Sequence, residues 1–209
     1  MSNMQHQVQI GVVGFAGEEE YPNDWKMADG ITNIARSIGK LIALKGGVVV
    51  TGGGGGVMAA AATGAMEVGG FTLAVINTLR DLPDCYWYSA RVVCGMAEGG
   101  PEFVLPLTCD ALIVIGGGAG TLNELAVAYR NSVPIVLLAK TGGWCDRLTS
   151  SLIDNIYLDE RRRSVIFTRT DAEEAVSCAF ELGIKKIEQA LNTYSNPSDV
   201  RDGHRKIFD

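Results

Sequence analysis

The sequence predicts a three-layer α/β domain, with a mostly parallel, doubly wound sheet of about seven strands and helices on both faces. Three observations lead there. Short apolar runs alternate with helical segments along the chain. Those runs are aliphatic at consecutive rather than alternate positions, as strands covered on both faces require. Glycine clusters, drawn from 26 glycines in 209 residues, fall where the runs hand over to helices. Seven strands are too few for a closed eight-unit barrel of about 250 residues.

Residues 8–15 form the first apolar run, and Gly14 and Gly17 bracket the turn after it. Residues 25–45 carry Ile31, Ile34, Ala35, Ile38 and Ile42 at helical spacing, and Gly46 and Gly47 end that helix. The strand 48–50 is followed by the glycines 52–56 and by an Ala-rich helix over 57–68. Met58 and Met66 are assigned to the core. Residues 71–76 form a third strand, with Asn77 and Thr78 at its end. A fourth strand falls within 85–94. Pro101 opens a helix running to Cys109, with Pro106 as a kink or an early stop. The fifth strand, 111–115, is almost purely aliphatic. It is followed by the glycine turn 116–120 and a helix over 121–130. A sixth strand (134–139), a helix (148–156), a seventh strand (165–167) and a closing helix (171–191) complete the pattern, with Asp171 near the last N-cap. Residues 1–195 read as one domain and 196–209 as a polar tail.

Composition narrows the function classes. Hydrophobic residues make up 47% of the chain, enough for a core without staples. The formal charge is -6, from 24 acidic and 18 basic residues. With Arg161, Arg162 and Arg163 as the one short basic run, the expectation is no nucleic-acid partner. Cys85, Cys94, Cys109, Cys145 and Cys178 form no CxxC pair, and His6 and His204 lie near the termini, so no metal site is expected. The first residues lack the apolar core of a signal peptide, and no apolar run reaches membrane-span length. The expected setting is cytoplasmic, without a membrane partner.

The chemistry is concentrated in the glycine turns. In the stretch 114–124, Gly117, Gly118 and Gly120 let backbone amides approach a ligand, and the following helix adds its positive dipole end. Together they suit a phosphate. Thr121 is open to two roles, helix cap or phosphate contact. Glu124, three residues on, either closes a capping box with Thr121 or faces a ligand sugar or base. In the second turn, Gly53, Gly54, Gly55 and Gly56 exceed what a plain turn needs, and close packing accounts for about two of its glycines. Neither turn is a P-loop, since no lysine follows at the required place. Gly14 and Gly17 form a third wall, Phe15 either stacks on a base or packs in the core, and Asn77 is placed to reach a ribose or phosphate. Asp110 reads chiefly as a turn residue.

The residues 52–58, and 116–124 preceded by 111–115, resemble the Rossmann-like superfamily of cytokinin-activating, lysine-decarboxylase-like phosphoribohydrolases. That superfamily also holds the molybdenum-cofactor carrier proteins and the DNA-processing DprA/Smf-related group. The hydrolase branch has Pro-Gly-Gly-x-Gly-Thr-x-x-Glu. Here Gly116 takes the place of the proline, and the triple glycine is closer to the carrier branch. The hydrolases' Arg-Lys pair, about ten residues ahead of Asp110, is replaced by Gly100 and Pro101. The resemblance implies a Rossmann-like fold and a homo-oligomer, with Gly118, Gly120 and Thr121 on a phosphate. It implies a phosphorylated nucleotide-like or pterin-like small molecule as ligand, with molybdenum cofactor or a mononucleotide as candidates. The alternative it carries is a phosphoribohydrolase of nucleoside 5′-monophosphates, with Glu124 as its catalytic residue.

Overall fold

The computed structural model describes residues 7–18, 21–22, 26–77, 88–96 and 99–195. In chain order these form β1 (Gln9–Gly14), α1 (Ile31–Leu44), β2 (Val48–Thr51), α2 (Gly56–Met66), β3 (Phe71–Ile76), β4 (Ala90–Val93), α3 (Gly100–Thr108), β5 (Ala111–Ile115), α4 (Ala119–Arg130), β6 (Ile135–Leu138), α5 (Gly143–Thr149), β7 (Ile166–Arg169) and α6 (Ala172–Ser195). The strands make one sheet in the order β4-β3-β2-β1-β5-β6-β7. Every neighbouring pair is parallel. The order reverses at β1, so the fold is the doubly wound, Rossmann-like sheet the aliphatic runs predict.

The central strands are buried on both faces because each face has its own helical layer. Ile10, Val12, Val49, Ile113 and Val136 pack under α1, α2 and α6. Val13, Val50, Leu112, Val114 and Leu137 pack under α3, α4 and α5. Consecutive residues of one strand thus enter opposite cores, and both must be apolar. Tyr129, on α4, is fully buried in the second core. Cys109, Cys145 and Cys178 are buried as free thiols.

Several boundaries differ from the sequence reading. The helix expected from Trp25 starts at Ile31, because Gly30 takes a left-handed φ of 84° at the N-cap and turns the chain into the helix there. The helix expected at 148–156 lies instead at Gly143–Thr149. Asp154 and Asn155 both have positive φ, 52° and 63°, which breaks the helical spacing of Leu152, Ile153 and Ile156. Met66 is exposed rather than in the core. Pro106 lies inside α3, which runs on to Thr108. Asp171 caps α6 as expected, accepting the amides of Glu173 at 2.8 Å and Glu174 at 3.0 Å. The tail 196–209, and Thr78, Cys85, Tyr86 and Trp87, lie outside the described residues.

Helices α1 and α2 approach so closely that side chains are excluded at the crossing. A Cβ on Gly64 would collide with the carbonyl of Arg36, and one on Gly39 with the carbonyl of Ala61. Backbone cannot yield as a flexible side chain does. Gly64→Val therefore destabilises the fold by about 3 kcal/mol or more, at the upper end of overpacking costs, read as a lower urea midpoint at unchanged slope.

Candidate functional site

Because β2, β1 and β5 are adjacent and parallel, the turns that follow them lie on one edge of the sheet. Gly14, the glycines 52–56 and the glycines 116–120 therefore meet at the strand-order reversal. This is the crevice where open α/β sheets hold ligands.

Both helix starts are fastened to the end of β1. The Val57 amide donates to the Phe15 carbonyl at 2.9 Å, fixing α2. The Thr121 hydroxyl donates to the Gly14 carbonyl at 3.1 Å, fixing α4. Thr121 is therefore not the N-cap. That position is Gly118, and no side chain caps the helix there. The capping box with Glu124 is excluded for the same reason, since Glu124 is the sixth residue of α4 and lies beyond the third, where the box needs it. Phe15 is buried in the core, edge-on to Tyr21 with ring centroids 6.2 Å apart. It supports the β5 turn and offers no open face for a base.

The glycines divide into those the fold needs and those it does not. Gly116 and Gly117 have φ of 64° and 96°, a region that side chains rarely adopt. A Cβ on Gly117 would lie 2.5 Å from Thr121. Gly53 and Gly56 also have positive φ, and a Cβ on Gly53 would lie 2.6 Å from Ile76. Gly14 lies against the Ile115 carbonyl. These are packing glycines. Gly54 meets only the flexible end of Met58, and Gly55 is the N-cap of α2. Gly17 is buried in the turn after β1.

Gly118 and Gly120 are different. Neither has a positive φ. A Cβ on Gly118 would meet only the Tyr21 hydroxyl, at 3.7 Å, and one on Gly120 only Glu102, at 3.6 Å. Nothing in the protein's own packing demands glycine at either place. Both line the open first turn of α4, whose leading amides have no intrahelical acceptor.

Two further groups were not singled out from the sequence. Thr141 is buried, receives the Gly116 amide at 2.8 Å and donates to the Leu138 carbonyl at 2.5 Å. The start of α5 is tied to the same turn, with Trp144 and Cys145 amides donating to the carbonyls of Gly117 and Gly116. The run Thr141-Gly142-Gly143 repeats the strand-to-helix punctuation, and placing the helix too late hid it. The second is Glu102, in the first turn of α3. Its Oε2 is buried without a hydrogen-bond partner, as is Oδ1 of Asn77 at the end of β3. Glu102 extends over Gly120, and its charge is felt by Glu124.

Glu124 is 7% exposed. Burial, with the Glu102 charge adding to it, pushes its carboxyl up to about 8. Burial thus favours its protonated form, which can donate a hydrogen bond. Among the described residues no group of three or more His, Cys, Asp or Glu could hold a metal ion. No helix among them is long and apolar enough to cross a membrane.

The model of the SLOG cluster4 family matches residues 7–176. The chain belongs to that family. An uncharacterised protein of Archaeoglobus fulgidus is 36% identical over 134 residues, 63% of this chain and 80% of its own. The crystal structure of the structural-genomics target TM1055 superposes with a TM-score of 0.76 at 32% identity, over 84% of this chain and 99% of that one. The molybdenum cofactor carrier protein of Chlamydomonas reinhardtii superposes with a TM-score of 0.67 at 27% identity, over 85% and 98%. Membership gives the chain a ligand-binding role within this superfamily.

The exclusion of nucleic acid is corrected. The DNA processing protein A of Helicobacter pylori, described for its single-stranded DNA binding, shares the fold with a TM-score of 0.58 at 12% identity, over 83% of this chain and 80% of that one. Net charge describes the whole surface, whereas a nucleic acid needs only a local one. An acidic balance on this architecture is therefore no ground for excluding such a partner.

The raised Glu124 carboxyl links folding to pH. Between 4.5, its ordinary value, and about 8, the native state keeps a proton that the unfolded chain has lost. Stability is then highest below that window and falls as pH rises through it. Glu124→Gln removes this part of the slope. Urea unfolding at a series of pH values checks it, and parallel wild-type and variant profiles would count against the assignment.

Proposed function

We propose that this chain binds a phosphorylated small molecule, nucleotide-like or pterin-like, in the crevice between β1, β2 and β5. The observation that carries the reading is the pair Gly118 and Gly120. They are glycines that packing does not require, in open space beside the uncapped N-terminus of α4. An anion placed there satisfies the helix's leading amides and gains from its dipole. Val57 already spends its amide on Phe15, so the α4 turn is the main phosphate seat and the α2 turn the opposite wall.

Molybdenum cofactor is the member of this ligand class to which the carrier-protein relatives point. The cradle fits its phosphate group. Gly118 and Gly120 and the first-turn amides of α4 would hold that phosphate, and any metal would arrive with the cofactor. Bound, the cofactor would supply redox chemistry. The chain's own task is to hold, orient and shield it.

The alternative, phosphoribohydrolase action, draws little from the site. Gly100 and Pro101 open α3 where the resembling hydrolases have their Arg-Lys pair.

Gly118→Val and Gly120→Val are expected to abolish binding of the co-purifying phosphorylated ligand while shifting unfolding stability by less than about 1 kcal/mol. Native mass spectrometry reads the first and urea titration the second. Equal ligand occupancy in wild type and both folded variants would remove the phosphate seat from this turn.

The expected homo-oligomer gains support from β4. All four of its residues are exposed at the sheet edge, including Val92 and Val93. An uncovered apolar edge strand favours association. Light scattering should give a dimer or larger at micromolar concentration, and a monomer would contradict this.

A further inference from the structure

Helix α6 is longer than the sheet it covers. Its 24 residues span about 36 Å, whereas strands of four to six residues span about 13–20 Å. The helix docks through Ala175, Val176, Cys178 and Ala179, all buried in the first core. Farther along, Glu188, Gln189, Ala190, Leu191 and Asn192 are all exposed. Five consecutive residues face every direction around a helix, so this stretch stands clear of the body.

Its apolar side chains keep a spacing that burial in this chain does not explain. Phe180, Ile184, Ile187 and Leu191 follow one another at intervals of four, three and four residues, the seam of a helix that packs along a second helix. Phe180 and Ile187 are partly buried against the first core, whereas Ile184 is 44% and Leu191 59% exposed. Beside the seam lies an open groove of about 620 Å³, whose lining includes Phe180, Glu181 and Ile184 of α6 and Lys45, the C-cap of α1. The Lys45 ammonium stands 5.9 Å from the centre of the Phe180 ring. It forms no ion pair among the described residues.

The seam fits a second copy of itself. With two such helices antiparallel about a two-fold axis between residues 185 and 186, Phe180 meets Leu191 of the second copy and Ile184 meets its Ile187, and each contact occurs twice. Each exposed side chain of one copy then covers a half-buried one of the other. The charges agree. Glu181 and Glu188, seven residues apart, share one flank of the seam, and two acidic flanks alone would repel. Lys45 stands on that flank, since it lines the groove with Glu181. Glu188 of the second copy, one turn before its Leu191, supplies the carboxylate that Lys45 lacks. We propose that α6 is a dimerisation surface, on which two copies of this chain pack their seams antiparallel with Lys45 of each paired to Glu188 of the other. The surface is separate from the β4 edge, because α6 covers β1, β5, β6 and β7 while β4 ends the opposite side of the sheet. A chain that uses both surfaces assembles beyond a dimer, and one that uses α6 alone stops at a dimer. This contact does not rest on the phosphate reading.

The test measures mass by sedimentation velocity over a series of micromolar concentrations. It is run in a Val92→Lys background, which charges the β4 edge and leaves α6 as the surface under test. The chain is expected to be a dimer there. Ile184→Glu, at an exposed side chain, is expected to weaken the dimer at least about ten-fold by placing a charge in the seam. Lys45→Glu and Glu188→Lys are each expected to weaken it at least about three-fold. The double variant is expected to recover it, because the pair is restored with its signs exchanged, a recovery that damage to the fold does not produce. Circular dichroism shows whether each variant is folded. Should Ile184→Glu not fold, the charge exchange, at two exposed side chains, decides alone. A monomer in the Val92→Lys background, a mass unchanged by Ile184→Glu, or a double variant no better than the single ones would each overturn the proposal. A monomer that loses unfolding stability through Ile184→Glu overturns it too, and gives the seam to another part of the same chain.

Discussion

The end of β1 is the joint on which the site depends. Its last carbonyls, at Gly14 and Phe15, receive the Thr121 hydroxyl and the Val57 amide. Two helices from opposite layers are thereby hung from one strand end, with their N-termini facing a shared crevice. A buried carbonyl left without a donor costs about 1–3 kcal/mol, so these bonds stabilise the fold as well as aim the helices. Thr121 serves this joint, while the open glycines beside it remain free for a ligand.

The glycines show how one residue type serves two physical ends. At 53, 56, 116 and 117 the backbone takes a positive φ that side chains rarely adopt. At 118 and 120 the backbone is ordinary and the space beyond is open. Only the second kind is informative about a ligand, because the first kind is already explained by folding. In the turn after β2, Gly53 and Gly56 are needed for packing, which matches the expectation that close packing explains about two glycines there.

Carboxyl chemistry gives the crevice its second character. Burial raises the Glu124 carboxyl above its ordinary value, with Glu102 adding repulsion. The proposed phosphate seat therefore has a carboxyl side chain, Glu102, close to Gly120. This distinguishes the crevice from a plain anion hole, where cationic side chains would be expected.

The sequence by itself determined the layered sheet and the placement of three glycine turns on one edge. Consecutive aliphatic residues can be buried only between two helical layers, and parallel strands put every strand-to-helix turn at the same end. It also marked the stretch 114–124, whose glycines carry the signal without any knowledge of contacts. Tertiary structure alone decided which of those glycines are free, since the difference between Gly117 and Gly118 lies in φ and in what surrounds each position. It placed Glu102 against Gly120, residues 18 positions apart in sequence, because α3 packs on α4. It moved α5 to Gly143–Thr149, where Asp146 accepts the amides of Lys140 and Gly142, contacts that apolar spacing cannot register. Local pattern reports what each segment must bury, whereas a site depends on which segments the packed layers bring within a few ångströms of one another.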